Sequence, residues 1–426
     1  MTQEQVDVTI NSLASGGKGV GRHNDKVVFV PYTCPGDVAS VTVTKSGKRF
    51  DEAELVELRE PSDKRVDPLC EHFNVCGGCQ WQHIDYDFQI EQKKDILAHN
   101  LTRIGGVLEP DITVVTSPDP YHTRIKARFL VQEGVLGFRA ALSHDLVDVQ
   151  SCPVLHPDLD ELRNTCQMAL KEFPEVSGEI EIGISPVNGK RAAAIYLSRR
   201  MAKGVVGKLR DAFRSLLDGL VIRQGSYISR NGNTRLPIAV TESCGNSLHE
   251  IDSFSQVHGD LNASAKQALN HAVTTHCDES ERLLAIDLFA GSGNFTQVLA
   301  THFEKVIAVE SSKLAVATLP FNVEACKNEV ETISDRVDRG CKILIQKNVS
   351  PDLVFLDPPR AGFGKSIDAL AQLDAKWIAY LSCDTATFSR DIRGLCEKGY
   401  KLVDVSMFDF FPQTSHIESF GLLTKI

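Results

Sequence analysis

Hydrophobic positions recur with three different rhythms along the 426 residues of this chain. Between residues 6 and 58 they come in short runs, VDVTI, KVVFVPY, VASVTVTKS and EAELVELRE, separated by Gly, Pro, Asn and Asp. Short runs rich in β-branched residues and bounded by turn formers predict strands, and several of them within about fifty residues predict a small barrel of the OB type. The glycine-rich residues 15–22 read as a turn; no helix follows, so this is not a phosphate loop. A boundary falls at residues 59–63. Residues 87–104 then place Phe88, Ile96, Leu97, Leu101 and Ile104 in a helical stripe that ends at Gly105-Gly106, and residues 121–150 return to the strand period. From residue 255 the rhythm changes again. Apolar runs at 283–288, 306–309, 353–356 and 377–382 alternate with helical stretches at 261–276, 295–303, 314–326 and 385–397, and strands at 400–407 and 419–423 close the chain. This is the pattern of an open α/β sheet. Residues 329–350 fit neither period. The division expected is 1–59, 60–254 and 255–426.

Composition adds limits. Hydrophobic content of 42% and charged content of 24% are ordinary for a globular protein. No apolar run approaches the ~20 residues of a membrane span, and the N-terminus lacks the basic and apolar segments of a signal peptide. A cytoplasmic monomer with no membrane partner is expected. The net charge of −10 argues against nucleic acid, but an average hides local clusters. Arg124, Lys126 and Arg128 alternate with apolar residues and would share one face of a strand. Lys190, Arg191, Arg199, Arg200, Lys203, Lys208, Arg210 and Arg214 form a second group in which Asp211 is the only acid. Such groups suit a phosphate backbone, although each residue alone reads as ordinary solvated surface.

The chain has twelve cysteines, which in a cytosolic enzyme read as thiols, metal ligands or catalytic groups rather than disulfides. Cys70, Cys76 and Cys79 stand in a C-x5-C-x2-C array, and Cys152 is the natural fourth ligand. Four thiolates suit an iron–sulfur cluster or a structural zinc. Zinc usually takes two short pairs and only one occurs here, so the spacing leans to iron–sulfur.

The stretch 283–310, LLAIDLFAGSGNFTQVLATHFEKVIAVE, reads as strand, Gly-rich turn, helix, strand and acid, the first half of a nucleotide-binding βαβ unit. A dinucleotide fingerprint would need a small residue where Thr296 stands, and no Walker-type Gly-Lys-Ser/Thr follows. The adenosine part of S-adenosylmethionine (SAM) is therefore the expected ligand, with Glu310 placed to hold ribose hydroxyls. Two later strands end at the same carboxyl edge: Asp357-Pro358-Pro359-Arg360 and Ser382-Cys383-Asp384. Arg360 stands where amine N-methyltransferases carry an aromatic residue. Cys383 points to another acceptor, because uracil C5 becomes a nucleophile once a thiolate has added at C6. A base must then remove the C5 proton; Glu418 in His416-Ile417-Glu418 is the candidate, with His416 second.

Taken together, the residues 15–22, VFVPY and PGD, the four cysteines, DxFxGxGxF, DPPR, SCD and HIE resemble, in order and over nearly the whole chain, the RNA (uracil-C5)-methyltransferases that form 5-methyluridine. The resemblance implies an N-terminal OB-like TRAM domain that binds RNA, a central mixed α+β domain, and a Rossmann-like SAM-dependent α/β catalytic domain. It implies a [4Fe–4S] cluster on Cys70, Cys76, Cys79 and Cys152, Cys383 as nucleophile, and Glu418 as base. SAM contacts are implied at Gln256, Phe289, Asn294, Glu310 and Asp357, with a further adenine contact at Asp335; His258 stands where many members carry Asn. The substrate implied is RNA, 23S ribosomal RNA first and tRNA second, with the target base flipped out of its stack. Two rival readings are weaker. A non-catalytic RNA-binding or redox-sensing relative should have lost Cys383, Glu418 or the Gly-rich loop, and cytosine C5 enzymes carry a second cysteine where Asp357 stands.

Overall fold

The computed structural model describes residues 5–241 and 244–426. Strands Gln5–Leu13, Gly19–His23, Lys26–Val30, Val38–Ser46 and Phe50–Glu60 close into a barrel around Val8, Ile10, Val28, Val30 and Val41. The strand at Gly19–His23 corrects the expectation of a plain turn. A Cβ on Gly19 would lie 2.1 Å from Thr33 Oγ1, and one on Gly21 2.3 Å from Val8 Cγ1. The wall is too close there for side chains, so the strand has no apolar alternation to read.

A second sheet of seven strands runs in the order Tyr227–Gly232, Gly219–Gln224, Arg191–Leu197, Gly178–Ile184, Lys126–Gln132, Val135–Arg139 and Leu146–Val147. Helices Pro157–Lys171 and Lys203–Phe213 bury Leu159, Leu162, Leu209 and Phe213 in the core that this sheet shares. The stretch 60–254 does not all join this sheet. The helix Tyr86–Asn100, N-capped by the Asp85 carboxylate, and the π-turn Leu101–Gly105 bury Leu97 and Leu101 in the same core as Ile286 and Ile378. Strand Thr113–Val115 adds in parallel to the edge strand Tyr400–Phe408. An apolar helical stripe needs a cover and an open edge needs a partner; the C-terminal sheet supplies both.

That last sheet has eight strands, in the order Glu329–Ser334, Lys305–Glu310, Leu284–Leu288, Leu353–Leu356, Trp377–Ser382, Glu418–Lys425, Tyr400–Phe408 and Thr113–Val115. The first five are mutually parallel, and Glu418–Lys425 runs antiparallel to both its neighbours. Order reverses between Leu284–Leu288 and Leu353–Leu356, and a ligand crevice belongs at that switch point, beyond the carboxyl ends of the strands. The unassigned stretch 329–350 forms the edge strand Glu329–Ser334 and the helix Val337–Gln346. Its strand is half exposed and mostly polar, which hid it from a hydrophobic reading. Cys244 and Cys326 are joined in a disulfide with Cα atoms 4.7 Å apart, against the expectation that all the cysteines are thiols or ligands. The bond ties the hairpin of Arg235–Thr241 and Gly245–Glu250 to the end of the helix Lys313–Val323. No helix among the described residues is long and apolar enough to cross a membrane.

Candidate active site and cysteine site

The Gly-rich turn sits at the switch point. Phe289 is held at φ 64°, a left-handed conformation that a non-glycine residue adopts only under constraint, and its ring meets Phe363 edge-on at 6.0 Å. Glu310 reaches back to the turn: its carboxylate accepts the Gly291 N–H at 2.9 Å and the Ser312 N–H at 2.6 Å. Asn294 is buried and its amide pairs with that of Asn262 at 2.7 and 3.3 Å. Gln256 is buried in the loop before the helix Gly259–His276, and His258 caps that helix, its Nδ1 accepting the Leu261 N–H. Asp335 follows the strand that pairs Ser334 with Glu310, so the two acids end neighbouring strands. Asp287 was missed as a site residue. It is buried, accepts the Thr296 hydroxyl at 2.5 Å, and is pushed up to about 7 by burial, with Asp357 and Glu310 adding repulsion. Burial likewise pushes Asp357 up to about 7. Three acids therefore converge on one turn. The turn fits an adenosine ligand: nothing stands within 4 Å of a Cβ placed on Gly291, and Ser292 Oγ is buried with no partner.

Cys383 follows the strand Trp377–Ser382, whose Ser382 pairs with Ser419. One further step along this antiparallel register sets Cys383 against Glu418, the first residue of its own strand. Glu418 is buried, and burial followed by the Asp357 charge raises its pKa well above the carboxylate range. Burial pushes the half-buried Cys383 thiol up to about 11; Glu418 and Asp357 add to the rise and Arg360 opposes it. Arg360 also donates to the His416 ring at 3.2 Å. Burial and the cations Arg360, Arg124 and Lys93 lower His416 to about 4, so it is neutral at pH 7. Nucleophile and base candidates thus meet beside the Gly-rich turn, although seventy or more residues separate them from it in sequence.

Cys70, Cys76, Cys79 and Cys152 line one small cavity together with His72, Gln82 and Arg124. Burial raises the pKa of all four thiols, to about 12 for Cys152. Among the described residues no three or more His, Cys, Asp or Glu are already drawn to the spacing of metal ligands. The chemistry of the donor set nevertheless fits a thiolate-ligated centre, since four cysteines line one cavity.

The two basic groups fare differently. Lys126 is buried and pairs with Glu181 at 3.2 Å, while Arg128 pairs with Glu179 and Glu181. The acids of the neighbouring strand Gly178–Ile184 neutralise that face, so it is not an open phosphate track. In the second group Arg199, Arg200, Lys203 and Arg210 line one surface cavity of about 750 Å³ with Tyr227.

A parallel sheet with one reversed strand and an acid-lined Gly-rich turn at its switch point, preceded in the chain by a closed barrel, is the architecture of a SAM-dependent methyltransferase with an added β module. Residues 247–426 match the family described as tRNA (Uracil-5-)-methyltransferase, and residues 1–56 match the TRAM domain. The chain is 30% identical over 422 residues to the 23S rRNA (uracil(1939)-C(5))-methyltransferase RlmD of Marinomonas sp. (strain MWYL1), covering 98% of this chain and 94% of that one. It is also 30% identical over 448 residues to the protein of that name from Photorhabdus laumondii, covering 99% and 96%. The fold is similar to the crystal structure of Pyrococcus abyssi tRNA (uracil-54, C5)-methyltransferase in complex with S-adenosyl-L-homocysteine, with a TM-score of 0.74 at 23% identity over 98% of this chain and 100% of that one. The chain belongs to the RNA (uracil-C5)-methyltransferase family and is a SAM-dependent enzyme.

Proposed function

We propose that this enzyme methylates C5 of a uridine in large-subunit ribosomal RNA through a covalent Cys383 adduct. The juxtaposition of Cys383 and Glu418 across the strand register carries the reading. The Cys383 thiolate adds to C6 of a flipped uracil, and the electron pair of the C5=C6 bond moves into an enolate. C5 takes the methyl group from SAM, releasing S-adenosylhomocysteine. The Glu418 carboxylate removes the C5 proton, and the C6–S bond breaks to restore C5=C6. A buried carboxylate with a raised pKa is a strong base once ionised. Gln256, Phe289, Asn294, Glu310, Asp335 and Asp357 would hold the methyl donor, and Asp287 braces the turn by accepting the Thr296 hydroxyl.

The ribosomal substrate rests on the relatives' names, with tRNA as the second reading. The barrel and the cavity lined by Arg199, Arg200, Lys203 and Arg210 suit the RNA backbone. Cys70, Cys76, Cys79 and Cys152 would hold an iron–sulfur cluster, which when bound supplies a rigid thiolate clamp across the loops 70–79 and 152–156.

Mass-spectrometric mapping of 5-methyluridine in rRNA and tRNA, from cells with and without the gene, tests the substrate. Loss of one rRNA modification is expected; loss confined to tRNA would overturn the ribosomal reading. Cys383→Ala should abolish methyl transfer and keep SAM binding. Glu418→Gln should accumulate an RNA–protein adduct on a denaturing gel, and retained turnover in either variant would sink the mechanism.

A further inference from the structure

Residues 409–418 carry the HIE triplet, yet much of what holds them comes from the chain just beyond Cys79. The backbone N–H groups of Gln80 and Trp81 both donate to the Gln413 carbonyl, at 3.1 and 3.0 Å. The Gln89 amide donates to Gln413 Oε1 at 3.0 Å and accepts the Gln413 N–H at 3.2 Å.

Arg124 makes a second connection. Its backbone binds the strip that follows Cys152, through Arg124 N–H to the Val154 carbonyl and His156 N–H to the Arg124 carbonyl. Its side chain lines the four-cysteine cavity and also stands over Phe411, with Cζ 5.9 Å from the ring centroid. The Phe411 ring in turn meets His416 edge-on at 5.6 Å. Among the described residues no ion pair or side-chain hydrogen bond is formed by this half-buried guanidinium. A half-buried cation without an ion-pair partner is attracted by an anion placed nearby. Four thiolates around a metal centre in the cavity that Arg124 lines would be that anion.

We propose that the four-cysteine site positions the loop 409–418, and that Arg124 is the positioning residue through which the state of that site reaches Phe411, His416 and Glu418. The inference rests on the iron–sulfur reading of the cysteines. With the cysteines clamped, Gln80 and Trp81 hold Gln413, and the cluster's negative charge keeps Arg124 over Phe411. With the cysteines as neutral thiols, the loop 70–79 loses its clamp and Arg124 turns towards solvent, leaving Phe411 unsupported.

The test compares four full-length proteins: wild type loaded with a cluster anaerobically, cluster-free wild type, and loaded Arg124→Leu and Arg124→Lys. Three quantities are read: the cluster's reduction potential, S-adenosylhomocysteine affinity by calorimetry, and the rate of adduct formation with RNA carrying 5-fluorouridine, whose C5 fluorine cannot leave as a proton. Arg124→Leu should make the potential more negative, because loss of a nearby cation favours the oxidised, less negative cluster. It should slow adduct formation roughly ten- to a hundredfold, the scale of a small misplacement of reacting groups, with the affinity unchanged. Arg124→Lys should restore both in part. Cluster-free wild type should be slowed similarly and still bind S-adenosylhomocysteine. A loaded Arg124→Leu with wild-type potential and adduct rate overturns the coupling, as does cluster-free wild type that reacts at full rate. Wild type that takes up no iron overturns the iron–sulfur reading, and the coupling falls with it.

Discussion

A thiol and a carboxylic acid held side by side in a buried pocket oppose each other's ionisation. Here burial and the Glu418 and Asp357 charges push Cys383 up to about 11, so the thiolate is scarce at neutral pH and its fraction grows about tenfold per pH unit. Burial and then the Asp357 charge raise Glu418 as well, and its own charge, when present, works against the thiolate. Glu418→Gln removes this repulsion and should shift the pH profile of iodoacetamide alkylation at Cys383, followed by peptide mass spectrometry, to lower pH. An unchanged midpoint would mean that the two groups do not sense each other. Both residues were legible as motif positions, because SCD and HIE are short and lie at strand ends. Their mutual effect was not legible, since it depends on a register between strands more than thirty residues apart. Asp287 was hidden for a different reason: within an apolar run it reads as an interruption, and its part in the acid cluster appears only when Glu310 and Asp357 arrive from other strands. Arg124 was legible only as one charge of a basic strand, whereas Lys126 and Arg128 spend their charge on Glu179 and Glu181.

At the scale of elements, the helix Tyr86–Asn100 is bolted to the catalytic loop by a charge pair with no exposure. Lys93 Nζ meets Asp409 Oδ1 at 2.5 Å and the Phe411 carbonyl at 3.1 Å, and the Tyr86 hydroxyl donates to Asp409 at 2.8 Å. Burial lowers the Lys93 pKa, and Asp409 opposes the shift. Removing one partner leaves an uncompensated buried charge, so Asp409→Asn should cost about 3–5 kcal/mol in urea unfolding. The double replacement Lys93→Met with Asp409→Leu should recover part of that stability without recovering turnover. A single variant as stable as wild type would remove the pair from the account of how the loop is held. The helix itself was legible from its apolar stripe, but its partner was not, because contacts between residues 93 and 409 leave no periodic trace. The parallel strands Leu284–Leu288, Lys305–Glu310, Leu353–Leu356 and Trp377–Ser382 were the most legible elements, being mostly buried and mostly apolar, unlike the polar edge strand Glu329–Ser334. The strands between 178 and 250 were not, because their alternation is broken by paired charges such as Arg223 and Arg230 with Asp252.

At the scale of the molecule, the barrel rests against the segments that carry the catalytic residues. Trp81 Nε1 donates to the Gly17 carbonyl at 3.0 Å, and Asn100 bridges Ser15 to Thr385, the second residue after Cys383, at 3.3 and 2.7 Å. Gly17 sits at φ 89°, and a Cβ there would lie 2.9 Å from Ser415 Cβ. Gly17→Ala should therefore lower kcat by displacing the loop before Glu418, in addition to any change in KM for RNA; an effect on KM alone would show the barrel to be only a grip. The barrel was legible as a module, but its seat was not, because the glycine turn that forms the contact carries no apolar signal. If the barrel grips RNA, the distance between the grip and the reactive thiol is built in, since no flexible tether separates Gly17 from the loop it touches. The enzyme then works as a caliper. It selects among uridines by whether the surrounding RNA fold spans its two jaws at once, and a short strand carrying the right base but lacking that span would be a poor substrate.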